Sequence, residues 1–288
     1  RRFLPAIRSA EHIWCQLFSE PDAGSDLASM KTRAVLDGDT WVIDGQKVWS
    51  TNAHWADYGY LLARTDPDVE KHQGITVFAL DMRTPGVDVR PLREITGTTD
   101  FNEVFFDGVR IPADCAIGQA GQGWMIATAS LVQERHGVAA AGIRLRRGVR
   151  DLVELARDSR RDGVPAIDHR AVRQELGRLH AEVEICNLLG YASLTHELRG
   201  QMSLSDAPIG KLFFSELNLD MATVALELEG PASVLVEGDA RAVDDGRWQD
   251  EFLYARAFTI AGGSSEIMRN MLSERALGMP REPKPSAS

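Results

Sequence analysis

One carboxylate in this chain sits where proton transfer would need it. From Trp124, steps of three and four residues give Ala127, Leu131, Glu134, Val138, Ala141, Leu145, Gly148, Leu152 and Leu155, all apolar or small except Glu134. A stripe of that period faces the interior of a helical bundle, so the carboxylate at 134 is aimed where an unpaired charge is costly. Burial raises a carboxylic pKa toward neutrality, as a general base working near pH 7 requires. The same pattern also fits a packing role, in which Glu134 pairs with Arg135 or with an arginine of another helix. Periodicity alone leaves both open.

Other chemistries find little to work with. Cys15, Cys115 and Cys186 are odd in number, far apart and without a CxxC pair, which suggests neither a disulfide framework nor a zinc site. The seven histidines form no metal set, and His136 reads as a structural neighbour of Arg135. Arg144, Arg146, Arg147 and Arg150 read as a solvated helix face or a subunit contact. Net charge is −10, from 32 Lys+Arg against 42 Asp+Glu, a balance that repels phosphate backbones and anionic membranes. No nucleic acid and no membrane is expected as partner, because no apolar run approaches the roughly 20 residues of a bilayer span. Cysteine usage and the lack of a secretory start at Arg1-Arg2-Phe3-Leu4-Pro5 fit a cytoplasmic protein.

These residues must be held by two kinds of element. With 288 residues, 44% hydrophobic and 26% charged, the chain has the composition of a globular protein and the length of roughly two domains. Short apolar runs fill the first part: Thr40–Ile43, Lys47–Trp49, Tyr60–Ala63, Ile75–Phe78 and Val104–Phe106. Asp37-Gly38, Asp44-Gly45 and Asp107-Gly108 punctuate them as expected tight turns, since both turn positions accept positive φ. After Gly118 the spacing becomes helical, with helices expected at about 122–160, 168–199, 206–236, 248–260 and 265–277. Asp206 and Pro208 suit a helix start, and Ser264 or Ser265 a cap after Gly262-Gly263. The expected fold is α+β in separate domains. An antiparallel β-barrel or sandwich domain, 1–118, precedes a helical domain of four-helix-bundle type, 119–288.

Three stretches carry a resemblance. Phe18-Ser19-Glu20-Pro21-Asp22-Ala23-Gly24-Ser25-Asp26 is followed by Asp44-Gly45-Gln46-Lys47-Val48-Trp49-Ser50-Thr51-Asn52, and Ala261-Gly262-Gly263-Ser264-Ser265-Glu266-Ile267-Met268-Arg269-Asn270 lies near the end. In order and spacing they resemble the signatures of the acyl-CoA dehydrogenase family, with weaker agreement at Glu103–Pro112, Lys211-Leu212-Phe213 and Leu272–Arg281. Members usually open with a helical domain of roughly a hundred residues, an ordinary domain size. This chain starts just past it, so that domain is expected to be cropped or supplied by another chain.

The resemblance implies FAD as cofactor. A base removes the proton alpha to a thioester carbonyl while the beta hydride passes to the flavin, so the acyl chain lies between carboxylate and ring in a dry slot. It implies flavin contacts at Gln16, Leu17, Phe18 and Ser19, a pantetheine contact at Ser25, and a flavin cover at Trp49, Ser50 and Thr51. Ser264 and Glu266 would touch flavin or its adenosine diphosphate portion. Gly262 and Gly263 would approach the substrate, with a backbone N–H that polarises the thioester carbonyl. Many members carry the catalytic glutamate where Gly262 stands. A minority place it before an arginine on the first helix of the helical domain, and Glu134-Arg135 matches that position. Glu134 is thereby the expected base, with Arg135 assisting the thioester.

Two positions depart from the family pattern. The flavin-binding arginine finds its match only in Arg160, without the usual Phe-Gly after it. The Gln-rich Gly-Gly stretch that reaches a neighbouring subunit's flavin is replaced by Glu227-Leu228-Glu229-Gly230-Pro231, whose acids would repel a pyrophosphate. The expected activity is conversion of an acyl-CoA to the trans-2-enoyl-CoA in fatty acid or other lipid metabolism. Electrons would pass to an electron-transfer flavoprotein, and the assembly would be a homo- or hetero-oligomer, dimer or tetramer. Small residues at Ala261 and Gly262 suggest a branched or bulky acyl group. A non-catalytic partner subunit, or a flavin oxidase or monooxygenase on the same scaffold, are the alternatives.

Overall fold

Alternation of buried and exposed side chains turns the apolar runs of the first half into strands. In a computed structural model, describing residues 2–136, 138–201 and 203–281 with the side chains of 132–141 outside that description, a short helix α1 (Leu4–Arg8) is followed by eight strands. These are β1 (Trp14–Leu17), β2 (Arg33–Asp37), β3 (Thr40–Lys47), β4 (Tyr58–Arg64), β5 (Ile75–Asp81), β6 (Val87–Pro91), β7 (Asn102–Pro112) and β8 (Ala116–Ile117). They join in the order β6-β7-β3-β2-β4-β5-β8, with β1 on β4. The expected sheet domain forms, but of the barrel and sandwich alternatives a closed barrel is ruled out, because β6 and β8 are the ends of this path. Two pairings are parallel rather than antiparallel: β1 with β4 over four residues, and β2 with β4 only at Arg33 and Arg64. That single register pair lets the sheet fold over itself. Ile43, Leu61, Phe78, Leu80, Val104 and Val109 fill the space between its halves.

Only one of the three Asp-Gly pairs makes the expected turn. Asp37 pairs with Thr40 across Gly38 and Asp39, with Gly38 at φ 64°. Asp44-Gly45 and Asp107-Gly108 instead lie inside β3 and β7, facing each other where the register slips between Ile43 and Gly45. The Asp44 carboxylate accepts the Gly108 N–H at 2.8 Å, so the two pairs form a matched bulge and both strands continue.

The second half is helical: α2 (Gly123–His136), α3 (Val138–Asp158), α4 (Arg170–Leu198), α5 (Asp206–Glu229), α6 (Arg247–Ile260) and α7 (Ser265–Asn270). A two-residue hairpin, β9 (Arg160–Arg161) with β10 (Val164–Pro165), separates α3 from α4. The third expected helix stops at Glu229 instead of 236, because Gly230 takes φ 59° and Pro231 opens a 3-10 turn. Ser264 caps α7 as expected, its hydroxyl accepting the Ile267 N–H. Leu145, Leu152, Leu179, Leu217, Ala225 and Trp248 form the helical core. On the stripe that contains Glu134, Ala127 is buried and Trp124 and Leu131 are half-buried on α2, and Leu145, Gly148, Leu152 and Leu155 are buried on α3.

The chain divides into compact units Arg1–Ser130 and Leu131–Ser288. The start of α2 is tied to the sheet by Gly121 N–H to Thr76 Oγ1 at 3.0 Å and by Tyr60 Oη to Ser130 Oγ at 3.0 Å. The Trp124 ring lies against His72.

Candidate functional site

Within the sheet unit the first two signature stretches are fastened to each other. Val48 donates its N–H to the Ser19 carbonyl at 2.9 Å, and Lys47 donates to the Phe18 carbonyl at 2.9 Å and to Glu20 Oε1 at 2.8 Å. Glu20 also accepts the N–H groups of Lys31, at 2.6 Å, and Thr32, at 2.9 Å. Burial pushes the Glu20 carboxyl up, but the Lys47 charge and these hydrogen bonds outweigh it and hold the group below the usual carboxylate range. Burial likewise pushes the Lys47 ammonium down to about 8, against the pull of Glu20.

This fastening decides what the stretches can present. Leu17 and Phe18 are buried, Leu17 packing where Gly59 leaves room and Phe18 against the Tyr60 ring, so only their main chain can meet a ligand. Gln16 is exposed and Ser19 half-buried. Ser25 is exposed on a loop braced by Lys71, which donates to Asp26 at 2.6 Å, and by Arg64, which donates to the Ala28 and Met30 carbonyls.

The second stretch leaves β3 in a turn with two non-glycine residues in the left-handed region, Trp49 at φ 59° and Asn52 at φ 56°. A bulky side chain rarely adopts that conformation without a functional constraint. The Trp49 indole is 60% exposed and meets the Phe101 ring edge-on, Thr51 is exposed, and Trp41, expected in the core, is buried there. Ser50 is 1% exposed, and its hydroxyl has no partner among the described residues. A buried orphan hydroxyl beside an outward aromatic face suits a flat heteroaromatic group with polar edges. The donor set therefore fits a flavin.

Within the helical unit the third stretch forms a turn with Gly262 at φ 65° and Gly263 at φ 96°, conformations that favour glycine. A Cβ at Gly262 would meet nothing within 4 Å, so there is open room beside it. Lys211 of α5, itself buried, donates to the Gly263 carbonyl at 2.7 Å. Glu266 is exposed, and hydrogen bonding to its own backbone N–H and to Ser264 holds its carboxyl below the usual range. Arg160 is exposed in the small hairpin, opposite Pro165. Glu134 and Arg135 belong to α2, and their side chains lie outside the described residues. Glu227 is exposed, whereas Glu229 is half-buried, with one oxygen buried and without a hydrogen-bond partner. Burial and then Asp244 push the Glu229 carboxyl up.

The holding roles of four residues escape a reading of the sequence: Lys47 with Glu20, Lys211, and Asn102, which donates to the Ser50 carbonyl. Lys47 pairs across the sheet with the fully buried Val104, a signal in principle, but the bulge at Gly45 breaks the alternation that would have shown it. Among the described residues no group of His, Cys, Asp and Glu could hold a metal ion, and no helix is long and apolar enough to cross a membrane.

Comparison with known proteins places both units. A family model described as acyl-CoA dehydrogenase, middle domain, matches residues 15–109, and one described as acyl-CoA dehydrogenase, C-terminal domain, matches residues 121–277. The acyl-CoA dehydrogenase IpdE1 of Mycobacterium tuberculosis is 42% identical over 287 residues, covering 99% of this chain and 71% of that protein. The solved structure of the Tcur3481-Tcur3483 steroid ACAD superposes with a TM-score of 0.90 at 33% identity, over 98% of this chain and 72% of that one. The ChsE4-ChsE5 complex from Mycobacterium tuberculosis gives 0.87 at 31% identity, over 97% and 72%.

Proposed function

Because the chain belongs to the acyl-CoA dehydrogenase family, we propose that it dehydrogenates an acyl-CoA thioester to the trans-2-enoyl-CoA, with FAD as cofactor and an electron-transfer flavoprotein as onward acceptor. The observation that carries this reading is the turn at Trp49 and Ser50, an outward indole beside a buried unpartnered hydroxyl, locked to the first signature stretch by Lys47. Trp49, Ser50, Thr51 and the main chain of Gln16, Leu17, Phe18 and Ser19 would hold the flavin ring, with Ser264, Glu266 and Arg160 toward its phosphate end. When bound, the flavin supplies an acceptor for the beta hydride.

The chain's own residues supply the rest. Glu134 takes the alpha proton as a carboxylate, and the electron pair of the broken C–H bond becomes part of the new double bond. Its support is the sequence spacing that puts it in one apolar stripe with Leu145, Leu152 and Leu155, buried on the next helix, together with a glycine where many members carry the acid. A backbone donor in the Gly262–Gly263 turn and Arg135 stabilise negative charge on the thioester oxygen. Ser25, exposed on its braced loop, meets the pantetheine arm.

The open room beside Gly262 favours a branched or cyclic acyl group, and one structural relative is described as a steroid ACAD. A mixed assembly is the second reading, favoured by the two-protein composition of the ChsE4-ChsE5 relative. Anaerobic mixing of the purified full-length protein with straight, branched and cyclic acyl-CoAs tests the function. Loss of the flavin absorbance with formation of enoyl-CoA supports it, and peroxide formation in air without an enoyl product contradicts it.

A further inference from the structure

The turn Trp49–Asn52 does not hold its left-handed conformations by itself. Its fixed points come from the chain just before and at the start of β7. Ser50 donates its N–H to the Asn102 carbonyl at 3.1 Å, and Asn52 donates to the Asp100 carbonyl at 2.8 Å. The Asn102 side chain then closes the clamp, donating from Nδ2 to the Ser50 carbonyl at 2.9 Å. One residue thus grips both main-chain polar groups of Ser50. Asn102 is fully buried, and its Oδ1 lies 3.1 Å from His54 Nδ1, on the far side of the same turn. Phe101, its neighbour, supports the Trp49 ring edge-on.

We propose that Asn102 is a positioning residue that sets the angle at which Trp49 and Ser50 are presented to the flavin, an inference that rests on the reading of this turn as a flavin contact. Asn102 is fitted to this by chemistry as well as by size. Its amide nitrogen donates to the Ser50 carbonyl and, at 3.4 Å, to the Asp100 carbonyl, while its amide oxygen faces the imidazole, which fixes the amide orientation. Aspartate would set an oxygen against the Ser50 carbonyl, and alanine would leave that carbonyl without its side-chain donor. In either case the left-handed Trp49 loses one of the restraints that over-determine it.

The test compares Asn102→Ala with Val109→Ala in the full-length protein. Val109 lies buried on the same strand and makes no contact with the turn among the hydrogen bonds and ring contacts above, so it controls for a purely structural effect. Asn102→Ala is expected to weaken FAD binding at least about tenfold, to shift the flavin absorption maximum, and to lower kcat with KM for acyl-CoA little changed. Val109→Ala should lower the Tm while leaving spectrum, FAD affinity and kcat as in the wild type. His54→Ala, at an exposed position, removes the brace on Oδ1 and is expected to move the flavin maximum in the same direction by a smaller amount. It keeps the test decisive if Asn102→Ala fails to fold. Asn102→Ala and His54→Ala proteins with the spectrum and kcat of Val109→Ala would overturn the proposal. Wild-type protein that takes up no FAD would instead remove the flavin reading on which it rests.

Discussion

The Lys47 ammonium lies 2.8 Å from Glu20 Oε1, with the two side chains 0% and 5% exposed. The pair joins two stretches 27 residues apart, and it also takes up the Phe18 carbonyl and two loop N–H groups. A buried pair of this kind adds little net stability over an apolar replacement, but removing one partner strands the other charge. Its contribution here is geometric: it fixes where the main chain of residues 17–20 stands relative to the turn at Trp49.

Lys47→Met is therefore expected to destabilise the protein by about 3–5 kcal/mol, and Glu20→Gln/Lys47→Met by clearly less than the sum of the single changes. The pH dependence of Glu20→Gln follows from the lysine. A lysine whose folded pKa is depressed, to about 8 even with Glu20 present, favours its neutral form when folded. The stability lost in Glu20→Gln should return as pH rises from 7 toward 10, because the buried ammonium is discharged in that window. Urea denaturation at pH 7 and 9 checks this. Equal losses at both values would show that the ammonium is not the stranded charge.

Lys211 has the same relation to the third stretch, donating to the Gly263 carbonyl from a buried position on α5. Lys211→Met should loosen the Gly262–Gly263 turn, speed amide exchange at residues 261–264, and lower kcat/KM about tenfold, equivalent to ~1.4 kcal/mol of transition-state stabilisation. Hydrogen exchange together with steady-state kinetics measures both effects. Unchanged exchange at 261–264 would remove Lys211 from the turn.

Glu229 carries a carboxyl whose pKa burial raises, at the point where the family pattern has a Gln-rich stretch. A raised folded pKa means that the folded state binds the proton more tightly, so this group's contribution is complete at acid pH and is lost as pH rises through the folded pKa. Glu229→Gln is expected to raise the Tm at pH 7.5, with the gain shrinking toward pH 4. A gain of equal size at both values would mean that the effect is not the carboxylate's charge. If Glu229 faces a neighbouring subunit's flavin, the same substitution also tightens FAD binding in the assembled protein.

Much of the architecture was readable because hydrophobic period and breakers are local. The strand runs at 40–43, 60–63 and 75–78 and the switch to helical spacing after Gly118 needed no partner to be seen. The errors lie where a distant contact overrides a local signal. Asp44-Gly45 looks like a turn by itself, but the Gly108 N–H that Asp44 captures lies 64 residues away and turns both pairs into a bulge. The sheet does not close because β6 and β8 stay at the ends of its strand path, a matter of distant pairing that alternation cannot express. The signature stretches were legible as a resemblance. The residues that hold them were not, since Asn102 and Lys211 look like ordinary polar positions until their buried partners are known.

The proposed dehydrogenation turns on Glu134 as the proton acceptor, and the most direct measurement is anaerobic stopped-flow of the full-length protein, wild type against Glu134→Gln, mixed with acyl-CoA. The expected result is rapid loss of flavin absorbance in the wild type and a loss slowed by at least about a thousandfold in Glu134→Gln, with acyl-CoA still bound. Reduction of Glu134→Gln at the wild-type rate would contradict Glu134 as the base.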